Sequence, residues 1–149
     1  MDLDGFKAVN DRFGHGLGDE VLAQAARHII EHLRAYDRVF RYGGDEFLLL
    51  LPGTHPEEAW QLVDRIRQQL AEAPLGRGPD GRAILLTASF GITSLEPELT
   101  VEECVARADK AVLMAKSTVR NRVVCWDPTV TTGTMIDREL SARPASPGS

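Results

Sequence analysis

Near the middle of the chain, Gly43-Gly44-Asp45-Glu46-Phe47 places two carboxylates directly after two glycines, with Arg41 and Tyr42 just before them. Glycine permits positive φ and has no side chain, so a ligand can approach the backbone while the adjacent carboxylates face it. Hard divalent cations bind carboxylate oxygens and recruit phosphates, which makes this tip a sensible nucleotide and metal site. A polar type I′ hairpin turn explains the heptad equally well. A second acidic cluster tips the balance: Asp2 and Asp4 close an apolar stub and lead into Phe6-Lys7, Asn10-Asp11, Gly14-His15 and Gly18-Asp19.

A competing constellation is His28-Ile29-Ile30-Glu31-His32, which fits the inverted zinc-peptidase pattern H-x-x-E-H. Catalytic zinc also needs a third ligand and an open water position, and no distinctive partner is present. These histidines are therefore expected along the polar edge of a helix. Trp60 and Trp126 read as packing residues, since neither lies in a run of aromatics and bases.

The elements that must position these groups follow from periodicity. Over residues 19–36 the apolar Leu22, Ala25, Ala26, Ile29 and Leu33 recur at helical steps, with Asp19 as N-cap. Residues 39–42 and 47–51 read as two strands joined by a four-residue tip that projects Asp45 and Glu46. Thr54 with Glu57 predicts the capping box of a second helix, buried through Leu62, Val63, Ile66 and Leu70 and stopped by Pro74. Residues 83–93 form a long apolar strand, expected to be central, in which Gly91 marks a bulge or a close approach. Thr100 with Glu103 opens a third helix through Val101, Cys104, Val105, Ala108, Val112 and Ala115, and residues 122–126 give a last strand. The order is α+β, with helices packed on a largely antiparallel sheet.

Composition limits the alternatives. The chain has 149 residues, 17 Lys plus Arg against 22 Asp plus Glu, a net charge of −5 and 43% hydrophobic residues. That suits one domain with a real core and excludes disorder for the bulk of it. An acidic balance argues against a partner held through a nucleic-acid backbone. The longest apolar run, residues 47–51, falls far short of the roughly 20 residues that cross a bilayer. The first residues resemble no secretion signal, so the cytoplasm is the expected location. Cys104 and Cys125 lack C-x-x-C spacing and read as small core hydrophobes. Residues 128–149 are rich in Thr, Ser and Pro and are expected to be a disordered tail, leaving residues 1–127 as the domain.

Taken together, the motifs resemble the GGDEF family of diguanylate cyclases, which join two GTP molecules into cyclic di-GMP. The matching pieces are D-L-D-G-F-K-A-V-N-D-R-F-G-H-G-L-G-D from Asp2 to Asp19, R-Y-G-G-D-E-F from Arg41 to Phe47, S-F-G-I from Ser89 to Ile92, and A-D-K-A with R-N-R-V between Ala108 and Val123. The resemblance implies a nucleotide-cyclase-like fold with a ferredoxin-like βαββαβ core. It makes Asp2, the Leu3 carbonyl, Asp45 and Glu46 the ligands of Mg²⁺ or Mn²⁺, with Asp45 and Glu46 the catalytic pair and Glu46 alternatively the group that activates the attacking hydroxyl. Asn10 and Asp19 become the guanine readers, because a carboxylate accepts from both N1–H and the exocyclic amine, a donor pair that adenine lacks. Phe6, Lys7, His15, Gly43, Gly44, Lys116 and Arg120 complete the substrate site, the last two as phosphate cations rather than helix-end charges that complement a dipole.

Each such domain holds one GTP, so the resemblance implies a homodimer for catalysis, with cyclic di-GMP as product and inhibitor. Arg34 and Asp37 match the family's R-x-x-D product site, although an ordinary helix-end ion pair would look the same. Val119 stands where the family commonly has Gly, and Leu113 replaces a usual Tyr. The family also has a helix, a D-x-L-T segment and most of the first strand before the position of Asp2, so Met1 is expected to be an internal methionine of a longer protein or a misplaced start. Loss of that front makes a non-catalytic module for GTP or cyclic di-GMP the alternative to a cyclase.

Overall fold

The computed structural model describes residues 1–128; the expected tail lies outside the described residues apart from Pro128. Its elements are β1 (Asp2–Asp4), α1 (Phe6–Phe13), α2 (His15–Ile30), β2 (Arg38–Arg41), β3 (Phe47–Leu50), α3 (Pro56–Glu72), β4 (Gly76–Arg77), β5 (Ala83–Ile84), β6 (Thr87–Ile92), α4 (Val101–Ser117) and β7 (Val123–Cys125). Strand β6 is central: β1 pairs with it antiparallel, Leu3 opposite Ala88, and β7 pairs with it parallel, Gly91 opposite Val124. The β2–β3 hairpin joins the other edge of β1 through an antiparallel bridge between Asp2 and Glu46 and the backbone bonds Leu3 N–H to Asp45 C=O and Phe47 N–H to Met1 C=O. The resulting strand sequence β2, β3, β1, β6 is the arrangement of a ferredoxin-like βαββαβ unit, to which α4 and β7 are added.

The core forms where the helices meet this sheet. Leu3, Val21, Ala25, Ile29, Phe47, Val63, Ile66, Leu70, Ala88 and Phe90 are all buried there. Helix α3 buries Val63, Ile66 and Leu70, as its stripe predicts, and α4 buries Cys104, Ala111, Val112 and Ala115. Gly91 is a close approach rather than a bulge. A Cβ there would collide with the Ala108 carbonyl oxygen and the Val112 nitrogen, so α4 lies directly against β6. Neither cysteine is in a disulfide; Cys104 is buried and Cys125 half-buried.

Several boundaries differ from expectation. The polar run after Asp4 contains helix α1, which buries only Phe6 and Val9. Helix α2 begins at His15, not at Asp19, with Gly14 at φ 83° breaking the chain between the two helices. Thr54 does not cap α3: His55 takes the N-cap position and Pro56 enters the first turn, where a missing N–H costs nothing. The expected strand over 83–93 breaks at Leu85 and Leu86, leaving β5 to pair with β4 instead. At α4 the capping box is formed, Glu103 N–H reaching Thr100 Oγ1 at 3.2 Å and Thr100 N–H reaching Glu103 Oε2 at 2.8 Å. The Thr100 N–H bond, joined by the Thr100 hydroxyl donating to the same oxygen at 3.1 Å, holds the Glu103 carboxyl below its usual range. Thr100→Ala is expected to cost about 1 kcal/mol, read from the denaturant midpoint; an unchanged midpoint would show the cap to be idle.

Candidate active site

Strand β1 and the hairpin tip put Asp2 and Asp45 at the mouth of one open cleft of about 450 Å³. Leu3, Phe6 and Lys7 line one side, and Lys116 and Arg120 come from the end of α4 and the turn after it. Lys116 Nζ forms an ion pair with Asp2 Oδ1 at 2.6 Å, without aligned hydrogen-bond geometry at that oxygen. Burial raises the Asp45 carboxyl above its usual range and the neighbouring Asp2 charge adds to the rise, while Lys116 opposes it. A carboxylate raised by burial and by a second carboxylate beside it fits a hard divalent cation, which would offset that charge. Among the described residues no group of three or more His, Cys, Asp or Glu side chains gathers as a metal site. A cation here would therefore depend on Asp2, Asp45, main-chain oxygen and its own phosphate and water ligands.

The hairpin tip runs over residues 42–46 and closes through Tyr42 N–H to Glu46 C=O at 2.9 Å, with Tyr42 outside the strand. Neither Gly43 nor Gly44 has positive φ, so the tip is not a type I′ turn. What Gly43 supplies is room, since a Cβ there would collide with Glu46 Oε2. Arg41 holds the tip from below, its Nη2 donating to the Gly44 carbonyl at 3.0 Å. Glu46 does not line the cleft; its carboxylate lies over Gly43.

Asp19 lines a second cleft of about 370 Å³ with Leu22, Ala26, Ile30, Val39, Arg41 and Phe47. The Asn10 Oδ1 packs against Gly18, the residue before Asp19, where any Cβ would overlap it, and this buried acceptor has no hydrogen-bond partner among the described residues. An unmatched acceptor beside an exposed carboxylate suits a ligand that offers several N–H donors. His15 is exposed in the first turn of α2. Asp11, one turn beyond Lys7 on α1, also lines the first cleft; the sequence shows it only as part of the acidic cluster, because the helix that carries it has too short a stripe to orient it.

Arg34 and Asp37 do not form a side-chain ion pair among the described contacts. The buried Asp37 carboxylate accepts from the Arg34 backbone N–H at 2.8 Å, and the exposed Arg34 guanidinium donates to the Tyr36 hydroxyl at 3.1 Å. The tyrosine hydrogen bond raises the Arg34 guanidinium further. His28 and His32 lie with ring centroids 4.9 Å apart, and a His32 ring nitrogen, Nδ1, lies 2.7 Å from the His28 carbonyl oxygen. Burial, then the His32 charge, lowers the His28 imidazole. The two rings thus face each other and the backbone.

A strand carboxylate and a hairpin-tip carboxylate thus face a helix-end lysine and a turn arginine across one cleft of an α+β domain, and comparison with known proteins gives the family. The model of the GGDEF domain of diguanylate cyclases matches residues 1–122, and the chain belongs to that family. It is 36% identical over 126 residues to diguanylate cyclase DosC of Escherichia coli (strain K12), covering 85% of this chain and 27% of DosC. It is 38% identical over 125 residues to the response regulator PleD of Caulobacter vibrioides, covering 83% of this chain and 28% of PleD. The chain thus spans about a quarter of the length of these curated relatives. Among solved structures, diguanylate cyclase SiaD of Pseudomonas aeruginosa, in complex with its activator SiaC, superposes with a TM-score of 0.78 at 41% identity, covering 83% of this chain and 47% of that one. The GGDEF domain of DgcB from Caulobacter crescentus, in complex with c-di-GMP, gives 0.74 at 27% identity, covering 83% and 73%. No helix among the described residues is long and apolar enough to cross a membrane.

Proposed function

We propose that this domain is a diguanylate cyclase that condenses two GTP into cyclic di-GMP and pyrophosphate. The observation that carries this is the meeting of Asp2 and Asp45 with Lys116 and Arg120 in one cleft. In each half-reaction the 3′-oxygen of one GTP bonds to the α-phosphorus of the other, the bond to the β-phosphate bridge breaks, and pyrophosphate leaves. Mg²⁺ or Mn²⁺, held by Asp2 and Asp45 with the Leu3 carbonyl, would supply charge stabilisation to the phosphoryl oxygens. Lys116, Arg120 and Lys7 hold the triphosphate, Asn10, Asp19 and His15 shape the guanine end, Phe6 walls the cleft, and Gly43 and Gly44 carry no side chain to keep the ligand from the backbone. Glu46 takes the proton of the attacking hydroxyl, for which its carboxylate turns from Gly43 toward the cleft.

One domain holds one GTP, so two copies must face each other, and the work of the protein is positioning. Arg34, exposed beside a buried Asp37, takes the product as an inhibitor. A domain that consumes GTP works on the cytoplasmic side. Incubation of the chain with GTP and Mg²⁺ is expected to give cyclic di-GMP at a rate per chain that rises with protein concentration. Absence of product at high concentration would overturn the cyclase reading, and retained GTP binding in that case would make the domain a non-catalytic nucleotide module.

A further inference from the structure

Asp2 and Asp4 are two residues apart on β1 and so face the same side of the strand, yet their carboxylates do different things. Asp2 is paired with Lys116 in the cleft. Asp4 is turned to the scaffold: Oδ1 accepts from the Ser89 hydroxyl at 2.9 Å, and Oδ2 from the Thr87 hydroxyl at 2.7 Å, from Ser89 again at 3.2 Å and from the Asn121 backbone N–H at 3.1 Å. Three donors, the Thr87 and Ser89 hydroxyls and the Asn121 N–H, thus tie the Asp4 carboxylate to the scaffold at the edge of the cleft that Asp4 also lines.

Asn121 is gripped from its other side by Arg67 of α3. Arg67 Nη1 donates to the Asn121 carbonyl and to its Oδ1, both at 3.1 Å, while Nε pairs with Asp64 Oδ1 at 2.6 Å. The turn so held is strained. Arg120 and Asn121 are the two non-glycine residues with positive φ among the described residues, at 57° and 45°. Left-handed backbone disfavours residues with a Cβ and persists where the surroundings over-determine it. Residues 117–122 contain no glycine to relieve it, and Val119 in particular supplies none. Arg120 nevertheless lines the cleft with Asp2, Asp45 and Lys116.

We propose that Asp4 and Arg67 are positioning residues: by clamping the Asn121 peptide from both sides they lock the left-handed turn that aims Arg120 at the phosphates. This rests on the phosphate-binding reading of the cleft and adds to it the device that sets one of its cations. Arg67 lines no part of the cleft, so its influence must travel through Asn121.

The test is a pair of double-mutant cycles, read as the calorimetric affinity of the full chain for a non-hydrolysable GTP analogue with Mg²⁺. Arg67→Ala and Asp4→Ala are each expected to weaken binding about ten-fold in the parent, but less than about two-fold in an Arg120→Ala background, where the cation they position is gone. Asp4→Asn keeps an acceptor oxygen for the Asn121 N–H while the hydroxyls turn to accept from its amide, and is expected to recover most of the loss. Equal factors in both backgrounds, or no loss in the parent, overturn the proposal; if Asp4→Ala fails to fold, the Arg67→Ala cycle decides. A parent that binds magnesium pyrophosphate but not the analogue overturns the guanine reading alone, and the same cycles on pyrophosphate then decide the clamp. A parent that binds neither overturns both.

Discussion

Asp2→Asn is expected to lower cyclic di-GMP formation about a thousand-fold, equivalent to roughly 4 kcal/mol of transition-state stabilisation. Asp2 is buried on β1 and bridges to Glu46 through the backbone, so the amide keeps the strand, the shape and the β6 register while removing the charge. Three consequences follow from that one charge. A divalent cation loses a hard oxygen ligand, Lys116 loses its ion-pair partner at 2.6 Å, and Asp45 loses the neighbour that helps hold its carboxyl above the usual range. The sign at Asp45 is therefore fixed: its titration moves down toward the ordinary carboxylate value in Asp2→Asn, while the part of the rise due to burial stays. Carboxyl resonances followed against pH would report this without turnover. An active Asp2→Asn chain with an unmoved Asp45 would remove Asp2 from the metal site and leave its bond to Lys116 as a structural ion pair.

The carboxylates could be found in the sequence because Asp45 and Glu46 sit at a turn whose neighbours alternate as strands, and because Thr100 and Glu103 are three apart before an apolar stripe. Those signals are local, and the structure keeps them. Gly91 was legible as a place of close approach for the same reason, an isolated glycine in a strand. What could not be read depends on distant chain. Asp2 and Asp4 are the same residue type on the same face of one strand and both line the cleft; only Thr87, Ser89 and Asn121, the last 117 residues away, tie the Asp4 carboxylate to the scaffold, whereas Asp2 pairs with Lys116. Helix α2 runs through Gly16 and Gly18 despite their poor helix propensity, and at Gly18 the reason is the Asn10 side chain packed where a Cβ would be. Helix α1 was hidden because Phe6 and Val9 are its only buried residues, too few to mark a period.

Gly91→Ala is the substitution with the largest expected effect on stability, about 3 kcal/mol and so roughly 10 °C in Tm. The added methyl would meet the Ala108 carbonyl oxygen, the Val112 nitrogen at 2.7 Å and the Ala111 Cβ at 2.9 Å. The first two are backbone atoms of α4 and cannot rotate away, so the helix itself must lift from β6. Lifting it unpacks Ala111, Val112 and Ala115 from the sheet and shifts the end that carries Lys116. Gly16→Ala gives the opposite sign. It lies in the first turn of α2 with no atom within 4 Å of its would-be Cβ and without positive φ, so alanine is expected to stabilise by about 0.5–1 kcal/mol through reduced chain entropy in the unfolded state. Thermal unfolding of the two variants side by side separates glycine needed for space from glycine merely tolerated. A Gly91→Ala chain that melts with the parent would mean that α4 does not rest on β6 at this point, and the placement of Lys116 beside Asp2 would lose its support.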